Sequence, residues 1–342
     1  MCIRDRVGTK NNSTKHWKAI GELIEFQEEA AEVLRYLGAH YKFEEMSKSD
    51  PKAARTVTTS MSNYLKELVE RFQKEYGQPL RRVSTPYPPE VKWSPDRDER
   101  GRFANTAASY VASGLFVSLV CRGDLAVAIQ RMGSNVSRWT VADDERLIRF
   151  MSYVNSATDV ELQGKLGPQD LEPLAIHAWP DADWNGCADN TRSTSGLFLE
   201  LVGAEKDHRL PVLWKASFQT FTSSSSAESE TVSASVALRG SAIPVQPLLE
   251  AMLGKEVPIV CHIDNTQAIS AITKGYSKKL KCLSRTHRCS IGVMNELYLD
   301  ERYKITIVHT PSAEHLGDFF TKELGANVFE PSRDRLGLRT PS

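Results

Sequence analysis

From Leu171 onward the chain changes texture, and that change constrains its fold more than any other feature. Short β-type runs, LAIHAW, LFLELVG (197–203) and LPVLWKASF (210–218), follow one another with only turn-forming or charged residues between them. Next come a Ser-rich helix start (SSSSAESE), a Pro-initiated apolar strand PIVCHID (258–264) and a helical stretch to Asp300. A strand KITIVH (304–309) and a short terminal helix, HLGDFFTKEL, complete the series. Three strands in a row, then helix, strand, helix, strand, helix, predict a mixed α/β domain.

The upstream part reads as mostly helical. The segment WKAIGELIEFQEEAAEVLRYLG places Leu23, Phe26 and Ala30 on one face, and MSNYLKELVERFQKEYG does the same with Leu65, Leu68, Val69 and Phe72 before Gly77. Residues 84–101, rich in Pro and charge, predict an exposed linker. A second helical block covers about 103–155, with apolar runs flanking Arg122-Gly123-Asp124. The expected division is a helical segment 1–83, a linker 84–101, a helical connection region 102–170, an α/β domain 171–325 and a fraying polar tail 326–342. A length of 342 residues suits roughly two units of about 150. The 41% hydrophobic and 25% charged residues disfavour disordered, collagen-like and coiled-coil classes.

Charge and cysteine usage narrow the class further. Forty-three basic residues balance 43 acidic ones, which by itself argues against a histone-like nucleic-acid binder. Cys2, Cys121, Cys187, Cys261, Cys282 and Cys289 never form a C-x-x-C pair, so the expectation is reduced thiols in an intracellular protein. The longest apolar stretch, around Ala112 to Cys121, falls short of the ~18 residues of a membrane span, so no membrane partner is expected. Nor does the N-terminus read as a secretory signal.

Carboxylates mark the ends of the α/β elements. Asp181 follows the first strand, Asp264 closes PIVCHID, Glu228 and Glu230 open the long helix, and Asp318 lies in the terminal one. Strand ends are where α/β folds build their sites. Four acids from four elements, with no His or Cys at ligand spacing among them, form an all-oxygen set that suits hard ions such as Mg²⁺ or Mn²⁺. Each acid also has a plainer reading. Asp181 or Asp183 suits a turn, Glu228 makes a capping box with Ser225, and Asp318 alone suits a solvated helix face. Glu230 has no capping role, and Asp264 ends an apolar strand, where an unpaired carboxylate is costly.

The blocks DADWNGCADNTRSTSG, SSSSAESE, HIDNTQAI, SRTH and HLGDFFTKEL resemble the ribonuclease H domain of copia-type retrotransposon polyproteins over about residues 172–325. A weaker likeness upstream, in YLG (36–38), STP (84–86) and CRGDLAVAIQRMGSNVSRW, is to the stretch between polymerase palm and ribonuclease domain. The resemblance implies a ribonuclease H-like mixed five-stranded sheet with flanking helices behind a mainly helical connection region. It also implies hydrolysis of the RNA strand of RNA/DNA hybrids by a two-metal mechanism. Asp181, Glu230, Asp264 and Asp318 would then hold two Mg²⁺ ions, with Mn²⁺ as the alternative, and Asp181 would bridge them. The partners implied are an RNA/DNA hybrid and the rest of the polyprotein, and the location a cytoplasmic retroelement particle or the nucleus. Gly317 stands where that family has Ala, which would loosen a helix by ~1 kcal/mol.

Several residues round out the expected site. His309 and His315 both precede Asp318, and His309, ending a strand, is preferred as the proton shuttle. The acid-free run from Asn265 to Asn295 collects Lys274, Lys278, Lys279, Lys281, Arg285, His287 and Arg288, a stripe suited to duplex phosphates or simply to solvent. The only adjacent aspartate pair, Asp143-Asp144, sits in a helical context and reads as a decoy, so polymerase activity is not expected. Two rivals remain. One is a D, D, E integrase-like nuclease using Asp181, Asp264 and Glu296, which lacks the usual zinc-binding His and Cys set and leaves Glu230 idle. The other is an inactive retroelement remnant that only binds nucleic acid.

Overall fold

A computed structural model describes Lys18 and residues 34–44, 50, 53–87, 98–186 and 191–341. Most of the helix expected over residues 17–38 falls outside them, as do the middle of the expected linker, Cys2 and Cys187. Among the described residues no helix is long and apolar enough to cross a membrane, and the four described cysteines are free thiols.

From residue 34 onward the described chain begins with strands. β1 (Arg35–Tyr36), β2 (Ala39–Phe43) and β3 (Arg55–Ser60) form an antiparallel meander, with Tyr41 opposite Thr59. Leu37 and Gly38, both at positive φ (47° and 78°), make the first turn. Within the segment 1–83, expected to be helical, the described residues from 34 to 60 therefore form strands. RTVTTS is a run of β-branched side chains, stiff at χ1, that favours a pleated strand over a helix. Beyond it α1 (Ser62–Tyr76) buries Leu65, Leu68, Val69 and Phe72 and ends at Gly77 in the left-handed region (φ 74°).

Three more helices follow, α2 (Ala107–Val120), α3 (Ala126–Gly133) and α4 (Val141–Ser156). Arg122, fully buried at the turn after α2, pairs with Asp124 at 2.7 Å, and the Tyr153 hydroxyl donates to the same carboxylate at 2.7 Å, locking that turn to α4. The expected linker is anchored at its start: Thr85 and Tyr87 are buried, and Arg149 of α4 donates from Nε to the Thr85 carbonyl at 2.9 Å. The expected helical region 102–170 then ends in a strand, β4 (Glu161–Leu166), antiparallel to β3.

The second sheet starts with three antiparallel strands, β5 (Ala175–Asp183), β6 (Thr194–Val202) and β7 (Arg209–Phe218). Helix α5 (Ser226–Ala237) passes through a π-helical turn into α6 (Ile243–Leu253). β8 (Ile259–Ile263) pairs in parallel with β5. After α7 (Thr266–Lys274), α8 (Leu283–Thr286) and α9 (Ile291–Leu299), β9 (Ile305–His309) pairs in parallel with β8. The order is β7-β6-β5-β8-β9. A 3₁₀ stretch, Leu316–Phe320, leads to α10 (Ala326–Arg335) and β10 (Leu338–Arg339).

The fraying tail expected beyond 325 is instead packed. Phe329 is fully buried against Tyr87, Tyr153 and Phe319, and β10 pairs antiparallel with β4 to complete the first sheet, β1-β2-β3-β4-β10. Charged neighbours masked the apolar positions Phe329, Leu336 and Leu338, all buried.

Strand alternation explains how the two parts join. Ile176 and Ala178 of β5 and Leu199 and Leu201 of β6 enter a core with Ala234, Leu238, Ile272 and Met294 on the helical side. Their neighbours Trp179 and Phe198, with Trp214 of β7, face the other way into a core shared with α1 to α4, Phe320 and Phe329. Trp214 donates from Nε1 to the Ser118 carbonyl at 2.7 Å. The upstream helices therefore cover the second face of the second sheet, which is why its strands read as nearly continuous apolar runs.

Candidate metal centre

Four elements bring the acids to one end of the second sheet. Asp181 lies near the end of β5, 1% exposed, its carbonyl accepting from Ser233 Oγ of α5 at 2.7 Å. Pro180 is tolerated beside it because β5 pairs with β8 only as far as Ala178, leaving that side of the strand free. Glu230 is carried by the first turns of α5 and accepts from the Ala182 backbone N–H at 3.3 Å. The helix starts where expected, since Ser225 Oγ accepts from Glu228 N at 3.2 Å. The Glu228 carboxylate reaches back to Ser224 N at 2.8 Å, one residue short of a reciprocal capping box. That structural duty occupies Glu228 and leaves Glu230 to face Asp181.

Asp264 directly follows β8. Its neighbour Asn265 caps α7 by accepting from Gln267 N and Ala268 N, both at 3.0 Å, and Ser312 Oγ donates to Asp264 Oδ2 at 2.9 Å. Asp318 sits in the 3₁₀ stretch rather than in the expected helix. Gly317 is the reason that stretch packs so closely on β5: a Cβ there would lie 2.6 Å from the Trp179 carbonyl and 2.9 Å from Asp181 Cβ. Glycine at 317 thus permits a close approach, and the expected penalty for a glycine inside a helix does not arise.

Oxygen atoms of Asp181, Glu230 and Asp264 lie within 4.8 Å of one another, and ligand atoms of Asp181, Asp318 and His315 do likewise. Asp181 belongs to both sets. Burial, reinforced by the charge of Asp318, holds the Asp181 carboxyl well above the usual carboxylate range. Glu230 is pushed further up, by burial first and then by Asp181 and Asp264. Asp318 Oδ1 is buried and has no hydrogen-bond partner among the described residues. Crowded anions that resist ionisation, an orphaned buried carboxylate oxygen and an oxygen-dominated donor set fit a hard divalent cation.

The histidines take different places. His309 is exposed, with Nε2 donating to the Asp264 carbonyl at 3.0 Å. His315 is buried and has both ring nitrogens engaged: Nε2 donates to the His262 carbonyl at 2.9 Å, and Nδ1 accepts from Gly317 N at 3.2 Å. Behind them Trp179 stacks on His262 (centroids 3.6 Å, planes 6° apart), and His262 meets His177 Nδ1 at 2.9 Å. Burial lowers His177 to about 4 and His262 to about 3, so both rings are neutral.

Lys274, Lys278, Lys279, Lys281, Arg285 and Arg288 all stand exposed on α7, α8 and the turns around them. His287 does not join that face. Its side chain is 1% exposed, with Nε2 at 3.4 Å from Ser223 Oγ and 3.7 Å from Glu228 Oε1. The sequence reading also missed Thr321, Lys322 and Ser312. Thr321 Oγ1 donates to Asp181 Oδ2, and Lys322 Nζ lies 3.0 Å from Asp318 Oδ2. A cation four residues after the last acid was the available clue. Asp143 and Asp144 are structural: Asp143 closes a capping box with Thr140, and Asp144 accepts from Phe103 N at 3.1 Å and Trp139 Nε1 at 2.7 Å.

No family model matches the chain. Over 282 residues, 82% of its length, it is 24% identical to the retrovirus-related Pol polyprotein from transposon RE1 of Arabidopsis thaliana, covering 18% of that protein. It is 26% identical over 220 residues to the retrovirus-related Pol polyprotein from transposon RE2 of the same plant, which covers 64% of this chain and 14% of that protein. The chain spans less than a fifth of the length of these curated relatives. Both are transposon polyproteins, the class that the sequence blocks resemble.

Proposed function

We propose that the acid centre cleaves the RNA strand of RNA/DNA hybrids with two divalent ions, Mg²⁺ or Mn²⁺, as the ribonuclease H part of a copia-type retrotransposon polyprotein. The observation that carries this reading is the convergence of Asp181, Glu230, Asp264 and Asp318 from four separate elements. The order β7-β6-β5-β8-β9, three antiparallel strands followed by two parallel ones, is compatible with a ribonuclease H-like sheet. Similarity to two transposon Pol polyproteins supports the setting.

Asp181, common to both ligand sets, holds the position between them, with Glu230 and Asp264 on one side and Asp318 on the other. When bound there, paired divalent ions supply an activated water and neutralise the charge that builds on phosphate and leaving oxygen. His309, exposed beside Asp264, is the histidine within reach of substrate and passes a proton to the leaving oxygen. The exposed basic residues from Lys274 to Arg288 follow the phosphates and set the register of the duplex. Nucleic-acid contact, a place in the larger polyprotein and a location in a retroelement particle or the nucleus all belong to this proposal.

The integrase-like alternative is disfavoured because Glu296 is exposed on α9 and lies in neither acid set. A labelled-hybrid assay in Mg²⁺ tests the reading. Wild type should cleave, while Asp264→Asn and Glu230→Gln should fall to background. Equal cleavage by wild type and Asp264→Asn would remove the centre from the reaction, and full activity in Glu230→Gln would favour the integrase-like site. Hybrid binding without Mg²⁺-dependent cleavage would mark an inactive remnant.

A further inference from the structure

The acid centre already contains a cation of its own. Lys322 lies four residues after Asp318, its ammonium 3.0 Å from Asp318 Oδ2 and 4.0 Å from Asp181 Oδ2. It thus sits between two carboxylates of one candidate ligand set. Its charge acts on Asp181, Glu230 and Asp183 together. The other oxygen of Asp318, Oδ1, stays buried without a hydrogen-bond partner among the described residues, so the ammonium satisfies only one side of that carboxylate. The Lys322 side chain is 40% exposed, against 1% for Asp181. On a flexible four-carbon stem, it can swing toward solvent while the buried acid stays fixed.

We propose that Lys322 is a tethered counter-cation that competes with a divalent ion for the Asp181–Asp318 position, neutralising the centre before the ion arrives and withdrawing when it binds. The inference rests on the metal-centre reading and adds a competitor to it. Two cations on the same carboxylate oxygens repel each other, so ion binding must either displace the ammonium or bear that repulsion. Removing the ammonium therefore has two opposed consequences. The ion-free protein loses its only cation within reach of Asp181 among the described ion pairs, and becomes less stable. The incoming ion meets a more negative site and binds more tightly. A salt bridge with a purely structural role would lower stability with or without the ion, and would leave affinity unchanged.

The test is calorimetric titration of Mg²⁺ into the full chain, paired with thermal unfolding in EDTA and in saturating Mg²⁺, for wild type, Lys322→Met, Lys322→Arg and Asp181→Asn. Lys322→Met should bind Mg²⁺ roughly threefold to tenfold more tightly than wild type. It should melt below wild type in EDTA, and the gap should close in saturating Mg²⁺. Lys322→Arg, which keeps the charge, should bind no more tightly than wild type. Unchanged or weaker binding by Lys322→Met, or a melting gap that persists in Mg²⁺, overturns the competition. If Lys322→Met does not fold without the ion, tighter binding by Lys322→Arg overturns it instead. Loss of binding in Asp181→Asn beside unchanged affinity in Lys322→Met removes only the role of Lys322. Equal binding by wild type and Asp181→Asn, the acid common to both ligand sets, removes the metal-centre reading itself.

Discussion

The two five-stranded sheets are built from the same number of strands and do opposite things with them. The first, β1-β2-β3-β4-β10, is short-stranded and half-exposed, with β1 open to solvent and only Thr59 buried along β3. The second is covered on both faces, by its own helices on one side and by the upstream helices on the other. Burial on both faces is what allows the second sheet to hold carboxylates at its strand ends away from water, where crowding shifts their ionisation. The half-exposed sheet gathers no such cluster: Asp159 near its edge takes a hydrogen bond from Ser62 at 2.8 Å, which holds its carboxyl below the ordinary value, and Glu161 on β4 is raised by its own partial burial.

That contrast is best broken at the seam. Trp214→Ala empties an aromatic site shared by both parts and should cost about 3–5 kcal/mol in urea unfolding. The loss should appear as one transition. Two separate transitions in wild type would show that the sheets are independent and that the shared core contributes little. A smaller effect is expected at Gly317, where Ala would push against the Trp179 carbonyl. Gly317→Ala should destabilise by about 1–3 kcal/mol, whereas a helix-propensity argument expects a gain. The sign of the change in chemical denaturation decides between them.

The smallest effect sharpens the comparison through pH. His177 is held neutral by burial, with Arg209 adding to the shift, so its folded value of about 4 lies below the ordinary histidine value of about 6.5. The unfolded chain therefore takes up a proton before the folded one. The stability linked to His177 is complete above about pH 6.5 and is lost as pH falls toward 4. On the order of 1–2 kcal/mol should disappear between pH 7 and pH 5. His177→Gln should flatten that part of the urea-midpoint profile. An unchanged slope would place the proton uptake elsewhere.

The same contrast governs what could be read from sequence. Strands β5 to β9 were legible because burial on two faces writes apolar runs such as LAIHAW and PIVCHID, and because an acid closing such a run is conspicuous. Strands β1 to β3 were not, since Tyr36, Tyr41 and the Thr-rich RTVTTS segment lack a strong period and stand beside a genuine helix. The tail was misread for a related reason: Phe329, Leu336 and Leu338 are apolar positions scattered among Arg and Asp. Around the centre, the four acids stood out, but Thr321, Ser312 and Lys322 act through contacts made only once the chain has folded. His287 shows the reverse error, a member of a basic run in sequence that turns inward onto Glu228.

The return of β10 to pair with β4 makes the chain a clasp. The path runs from the first sheet, through the acid centre, and back to the first sheet before it ends. A protease that nicks a loop between β4 and β10 would produce two pieces still buttoned together by strand pairing and by Phe329. Excising residues 171–325 would instead strip the cover from Trp179, Phe198 and Trp214, leaving a sticky aromatic face. Release of the second sheet alone would have to supply a new cover for that face.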